Sequence, residues 1–225
     1  MIDPGARGDV APSRVLIVDD HPLVRLGLET RINAQSDLAV CGQAATTGEA
    51  LALARALQPA LIIVDIALKD GDGIDLIKRL RASGIESRII AFSAHDERLF
   101  GERALRAGAQ GYVSKQEGAE LLLDAIRTVL RGQVFLSPAL TQSVAAHWTR
   151  GASPAHGIDA LSDRELQVLS LIGTGRTTRA IADQLHISLH TVESHREKLR
   201  AKLNLANGAE LARYAAQWML AGREK

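Results

Sequence analysis

Cysteine is almost absent. Cys41 is the only one in 225 residues, so no internal disulfide can form. Within Leu38-Ala39-Val40-Cys41 it reads as a small strand residue rather than a reactive thiol. Aromatics are scarce at 3%, so Leu, Ile, Val and Ala must fill whatever cores a hydrophobic fraction of 46% builds. No apolar run approaches the ~20 residues that span a bilayer. No signal-peptide pattern opens the chain either, so a soluble, cytoplasmic protein with no membrane partner is expected. An excess of one charge is missing as well. The formal net charge is +1, and net charge alone therefore argues for no particular partner. Strand signals stop near residue 131, and only helix patterns follow from Leu161 onward.

Four short apolar runs in the first half each end in polar residues. Val15-Leu16-Ile17-Val18 leads into Asp19-Asp20, and Leu61-Ile62-Ile63-Val64 leads into Asp65. Ile89-Ile90-Ala91-Phe92 leads into Ser93, and Gly111-Tyr112-Val113-Ser114 leads into Lys115. Such runs, separated by helix-period segments, read as buried strands of a parallel sheet. Strands are expected at 14–19, 38–42, 60–65, 88–92 and 110–113, and helices at about 22–34, 46–57, 73–82, 96–106 and 117–130. The last helix has its apolar stripe at Leu121, Leu122, Ala125, Ile126 and Val129. Gly108 reads as a helix C-cap. Five βα units predict an α/β fold, an open, doubly wound, five-stranded parallel sheet over residues 14–131. A linker follows at 132–157, with a helical insert near 138–148 and a flexible run at 151–157. A small all-α domain completes the chain at 158–222, with helices at about 162–173, 177–185, 189–203 and 207–220. Residues 1–12 read as disordered.

In a doubly wound sheet the ligand crevice lies at the carboxyl ends of the strands. Asp19, Asp20 and Asp65 would meet there with Lys115 and Ser93. Three carboxylates repel one another unless a cation offsets them, and magnesium prefers a few carboxylates plus waters and phosphate oxygens. The chemistry such a set supports is attack of one carboxylate on an incoming phosphoryl group. Asp65, alone on the central strand, is the nucleophile candidate. Singly, Asp19 or Asp65 would pass for a surface carboxylate and Tyr112 for plain core. His21 reads as a helix-start residue.

Val-Asp-Asp-His at 18–21, Asp65 with Gly73 eight residues later, Ser93-Ala94 and Gly-Tyr-Val-Ser-Lys at 111–115 resemble the receiver domain of bacterial response regulators. Leu105 to Tyr112 resembles in particular the receivers of the NarL/FixJ subfamily. The resemblance implies phosphorylation of Asp65 by a sensor histidine kinase. It also implies Mg²⁺ on Asp20, Asp65 and the Ala67 carbonyl, with Asp19 acting through water. Ser93 and Tyr112 would be the switch pair and Lys115 the phosphate-pairing cation. On phosphorylation Ser93 and Lys115 would swing toward the phosphoryl oxygens, and Tyr112 would follow inward. Lys69 stands where proline is common, which takes away a source of rigidity, while Gly71 and Gly73 are expected to keep the turn. Lys69, Asp70 and Asp72 are candidates for tuning phosphate lifetime or kinase choice.

In the last domain, Thr177–Leu185 reads as a short helix, His186-Ile187-Ser188 as a turn and Leu189–Leu203 as a second helix. Its inward stripe is Val192, Leu199 and Leu203. From 176 to 202 there are six Arg/Lys against three Asp/Glu, a local excess that suits phosphate contact. Leu161 to Leu169, with Gly175, Ile181-Ala182, Ile187-Ser188, Thr191-Val192 and His195, closely resembles the LuxR-type helix-turn-helix domain. That resemblance places Thr177, Thr178, Thr191, His195 and Lys202 near DNA phosphates, and Glu193, Ser194 and Glu197 on bases. Lys198 joins them on the basic flank. Glu193 and Glu197 could instead pair with Arg196 or Arg200 along the helix. Ala180 leaves the capping box from Thr177 unfilled. Leu211, Tyr214, Ala215 and Trp218 form one stripe on the last helix, either core or a dimer contact.

The reading is a phosphorylation-controlled transcription factor whose partners are a histidine kinase, promoter DNA and RNA polymerase, acting as a homodimer when phosphorylated. It is not an enzyme beyond its own phosphoryl transfer and dephosphorylation. A haloacid-dehalogenase-type phosphatase is the rival, but its second aspartate, two residues after the first, is Ala67 here. A receiver that works without phosphorylation is disfavoured by the complete set of acidic and basic residues.

Overall fold

The computed structural model describes residues 11–150 and 157–221. The disorder expected at 1–12 and the flexible run expected at 151–157 fall, apart from residues 11, 12 and 157, outside the described residues.

The first unit runs β1 (Ser13–Val18), α1 (Pro22–Asn33), β2 (Leu38–Ala44), α2 (Thr47–Leu57) and β3 (Leu61–Val64). A two-stranded hairpin, β4 (Ala67–Leu68) and β5 (Gly71–Asp72), precedes α3 (Gly73–Ala82). Then come β6 (Arg88–Ser93), α4 (Glu97–Ala107), β7 (Gly111–Ser114) and α5 (Ala119–Leu130). The main sheet has the order β2-β1-β3-β6-β7 and is parallel throughout. Alternate strand residues supply opposite faces. Leu16, Val18, Ile62, Val64, Ile89 and Ala91 meet α2, α3 and α4. Val15, Ile17, Ile63 and Ile90 meet α1 and α5. Both faces are covered, which is why the strands are near-continuous apolar runs. The α5 stripe is as expected except that Leu123 is buried where Leu121 is half-buried.

Local signals end most helices where they do. Asp72 accepts from the Ile74 and Asp75 amides and so caps α3. Gly108, with φ 110°, closes α4 in the left-handed region that glycine enters without cost. The helical insert is α6 (Pro138–Arg150), and it is docked rather than free. Leu140 is fully buried against Gly101 of α4, where an added Cβ would stand 2.7 Å from a Leu140 methyl. Phe135 forms a parallel bridge with Gly111 at the edge of the sheet.

The second unit is a 3-10 turn (Gly157–Ala160) followed by α7 (Asp163–Gly173), α8 (Thr178–Leu185), α9 (Leu189–Leu203) and α10 (Gly208–Ala221). Ser162 and Glu165 make a full capping box on α7. Thr177 and Ser188 cap α8 and α9. Between them His186, with φ 52°, makes the left-handed turn. Leu211 and Ala215 on α10 are fully buried, with Tyr214 and Trp218 packed on the same core. That stripe is therefore core.

Candidate functional site

Each acidic side chain follows a strand whose buried backbone fixes it. Asp19 and Asp20 follow β1 and Asp65 follows β3, and all three carboxylates are enclosed. Lys115, one residue past β7, reaches across the edge. Its Nζ lies 2.6 Å from Asp19 Oδ2 and 2.6 Å from Asp65 Oδ2. Asp65 Oδ1 accepts the Ala67 amide at 3.1 Å. Burial pushes the Asp65 carboxyl up to about 6; Lys115 opposes the shift and Asp19 adds to it. Burial alone would lower the Lys115 ammonium, but the Asp65 and Asp19 charges outweigh it and hold it above its ordinary value. Neither carboxylate oxygen of Asp20 accepts a well-aligned hydrogen bond, although both are buried; His21 Nδ1 stands 2.8 Å from Oδ1 but off line. Oxygens of Asp19, Asp20 and Asp65 and a nitrogen of His21 all lie within 4.8 Å of one another. A buried, unsatisfied carboxylate in such a cluster is costly unless a cation completes it, and this set of oxygens could hold a metal.

Ser93, at the end of β6, is fully buried, and its Oγ accepts the His95 amide at 3.2 Å. Tyr112 is 1% exposed, and its hydroxyl donates to the His95 carbonyl at 2.8 Å. Its place in the apolar cluster beside Phe100 and Ala104 explains why: the ring fills core volume. Burial pushes the phenol well above its usual range. His95 packs against Phe100 with the rings tilted and their centroids 4.9 Å apart, and burial pushes its imidazole down to about 4.

The loop after Asp65 is firmly held without proline. Its hairpin pairs Ala67 with Asp72 and Leu68 with Gly71. Asp70 accepts the Thr47 amide and hydroxyl, both at 2.8 Å. Lys69 is left to face Asp20 Oδ2 at 4.0 Å.

On the second unit, α8, the His186 turn and α9 form the expected helix-turn-helix. Glu193, Glu197 and Lys198 are exposed along α9, and Ser194 is half-buried. Thr178 and Glu193 are bonded to each other at 2.9 Å, and Arg196 stands 3.5 Å from Glu193. Thr191 donates its amide to the Ser188 cap. His195 is half-buried, its Nδ1 has no hydrogen-bond partner, and burial lowers its imidazole. Lys202 is not a free cation. Its Nζ holds Glu165 Oε2 at 2.7 Å and the Ala160 carbonyl at 3.2 Å. Burial would raise the Glu165 carboxyl, but Lys202 and the capping box hold it below the usual range.

The two units are joined by contacts that the sequence did not announce. Gln167 on α7 is fully buried and donates to Asp72 Oδ2 at 2.9 Å. Arg103 on α4 donates to the Ile158 and Leu161 carbonyls and to Asp163, at 3.0, 2.7 and 3.0 Å. Lys78 meets Asp163 at 3.1 Å. His186 Nε2 lies 3.7 Å from Asp20 Oδ2, so the turn of the helix-turn-helix rests on the acidic edge. The one local signal was a polar Gln167 between Leu166 and Val168-Leu169.

A parallel receiver-like sheet with this acidic edge, joined to a helix-turn-helix, defines a class. The family model of the response regulator receiver domain matches residues 15–127, and that of the LuxR family of bacterial regulatory proteins matches residues 159–215. The chain belongs to the two-component response regulators of the NarL/FixJ type, in which a receiver is joined to a LuxR-type DNA-binding domain. It is 34% identical to a putative transcriptional regulator of Pseudomonas aeruginosa, over 90% of this chain and 97% of the relative. Response regulator GacA of Pseudomonas viridiflava is 35% identical over 91% and 95%. Oxygen regulatory protein NreC of Staphylococcus carnosus is 33% identical over 90% and 96%. Among solved structures, RcsB of Salmonella enterica serovar Typhimurium, bound to a promoter with the phosphomimetic BeF3−, shares 25% identity and a TM-score of 0.62, over 92% of this chain and 100% of that one. A LuxR-family response regulator from an Aurantimonas species shares 34% identity and a TM-score of 0.57, over 62% and 99%. Among the described residues, no helix is long and apolar enough to cross a membrane.

Proposed function

We propose that Asp65 is the phosphoacceptor of this regulator and that phosphorylation there controls DNA binding through α9. The observation that carries the reading is Lys115 Nζ at 2.6 Å from both Asp65 and Asp19, beside a buried Asp20 that accepts no well-aligned hydrogen bond. An Asp65 carboxylate oxygen attacks the phosphorus of a phosphohistidine on a sensor kinase; the O–P bond forms, the N–P bond breaks and the imidazole leaves. Lys115 moves from the carboxylates onto the arriving phosphoryl oxygens. Asp19, Asp20, Asp65 and the Ala67 carbonyl would hold Mg²⁺, which supplies positive charge against the incoming dianion. Ser93 turns from the His95 amide to the phosphoryl group. Tyr112, already inward, is tied to the same His95 backbone, so a shift of residues 93–96 reaches it directly. Hydrolysis of the aspartyl phosphate, also within the receiver, resets the state.

The domain limits that suit this reading are 14–131 for the receiver, 132–157 for the linker and 158–222 for the DNA-binding domain. Thr177, Thr178, Thr191, His195 and Lys198 serve as phosphate contacts, with Lys202 sharing its charge with Glu165. Glu193, Ser194 and Glu197 face bases. The partners are a histidine kinase, double-stranded promoter DNA and RNA polymerase in the cytoplasm, with a homodimer forming on phosphorylation. In the unphosphorylated chain the helix-turn-helix turn rests on an acidic edge that repels DNA phosphates, so the receiver restrains binding. Incubation with acetyl phosphate and Mg²⁺ adds one phosphoryl group, and Asp65→Asn removes it. Equal labelling of parent and variant would overturn the assignment, as would labelling that survives EDTA.

A further inference from the structure

We propose that His21 and Asp20 of the receiver and His186 of the helix-turn-helix turn form a second metal site, one that takes an imidazole-preferring ion such as Zn²⁺ and staples the two domains together. Three donor atoms from these residues lie within 4.8 Å of one another. His21 Nδ1 is 2.8 Å from Asp20 Oδ1, and His186 Nε2 is 3.7 Å from Asp20 Oδ2. Donors that share an ion at bond lengths of about 2.0–2.2 Å stand roughly 3–3.5 Å apart, so small rotations suffice. Both imidazoles have room to make them, with side chains 53% and 38% exposed. The carboxylate between them is buried and accepts no well-aligned hydrogen bond, His21 Nδ1 lying close to Oδ1 but off line for one.

The donor chemistry separates this site from the neighbouring all-oxygen one. Two imidazoles and a carboxylate suit zinc, nickel, cobalt or copper, whereas magnesium keeps to oxygen. The nearby positive group is Lys69, 4.0 Å from Asp20 Oδ2 and half-exposed, so it can leave. Two consequences follow. Asp20 is withdrawn from the phosphorylation cluster, so labelling of Asp65 slows. His186 is held on the receiver, so the closed arrangement gains population by the factor 1 + [metal]/Kd, about tenfold at ten times Kd. This regulation rests on the reading of Asp65 and α9 given above; the binding itself does not.

The test uses the full-length chain titrated with Zn²⁺ by calorimetry and with Co²⁺ by visible absorption, in millimolar Mg²⁺. One ion per chain is expected, with the Co²⁺ band discharged by Zn²⁺. His186→Asn keeps a residue that tolerates the left-handed turn and removes one ligand, and His21→Asn removes another. Each is expected to cost at least about tenfold in affinity, since even loss of a ligand's supporting partner costs that much. Circular dichroism and melting without metal show that both variants fold. Zn²⁺ then weakens DNA binding of the parent about tenfold at ten times Kd and leaves His186→Asn unaffected. No Zn²⁺ binding by the parent, or equal affinity in parent and His186→Asn, overturns the site. Binding without any effect on DNA affinity overturns the stapling. Because calorimetry and the Co²⁺ band read neither phosphate nor DNA, they are unmoved by failure of the Asp65 assignment.

Discussion

At the scale of single residues, the acceptor site depends on how closely backbones approach behind it. Gly73 begins α3, and its amide donates to the Ile66 carbonyl at 2.8 Å. A Cβ there would lie 2.0 Å from the Asp65 carbonyl oxygen and 2.7 Å from Ile66 Cα. Both obstacles are main chain, so no side-chain rotation relieves them. Gly73→Ala is expected to cost about 1–3 kcal/mol, as overpacking does, and to misplace Asp65. Urea unfolding and acetyl phosphate labelling check the two effects together. Unchanged stability with full labelling would mean that the close approach is not kept in solution. The sequence displayed this glycine only as a spacing of eight residues after Asp65, and the reason for it needed the fold.

At the scale of elements, the parallel strands and most helices were legible because their periods are long enough to repeat. Ile17, Ile63 and Ile90 alternate with neighbours on the other face, and Ser188 and Thr177 cap their helices as such residues do. The two-residue strands Ala67–Leu68 and Gly71–Asp72 were illegible, since two residues show no period. The docking of α6 through Leu140 was hidden because a short helix in a Gly- and Pro-bearing stretch reads as linker. Pairings between elements were hidden as well. Lys202 and Glu165 are separated by 37 residues, and nothing local to either announces the 2.7 Å bond. This alters what α9 predicts. Lys198 is exposed, so Lys198→Ala is expected to weaken binding to all DNA sequences and to lower the salt slope by about one. Lys202→Ala leaves the buried Glu165 with the Ser162 amide but without its cation, and is expected to lower the melting point of the helical domain as well. Glu197→Ala alters preference between sites by ~1–3 kcal/mol if it meets a base. Equal losses across sequences for Glu197→Ala would assign it to helix stability, and an unchanged salt slope for Lys198→Ala would remove it from the phosphate contacts.

At the scale of the whole molecule, the closed arrangement includes polar contacts at Asp72, and these make it sensitive to pH. Burial raises the Asp72 carboxyl to about 6 from 3.8; Asp163 across the interface adds to the rise, while the Asp75 and Ile74 amides and Arg164 oppose it. When the helical domain departs, Asp72 regains water and loses Asp163, so its pKa falls back toward the ordinary value. A carboxyl whose pKa is raised by closure favours closure most fully below about 4 and loses that contribution as pH rises through about 6. DNA affinity of the unphosphorylated chain is therefore expected to rise across that window. The rise is several-fold rather than a hundredfold, because part of the burial belongs to the receiver alone. Asp72→Ser keeps an oxygen to cap α3 but cannot titrate there, and its affinity is expected to be flatter over the same range. Gln167→Ala removes the amide that crosses to Asp72 and the Ile66 carbonyl. The Ile66 carbonyl keeps the Gly73 amide, but leaving Asp72 Oδ2 without its donor costs the closed state about 1–3 kcal/mol, enough for roughly a fivefold or greater gain in DNA affinity without phosphorylation. Fluorescence anisotropy with one labelled promoter fragment measures all three chains. Should Gln167→Ala bind no better than the parent, and Asp72→Ser follow the same pH curve, this interface would not be what restrains α9, and phosphorylation would have to act after DNA binding.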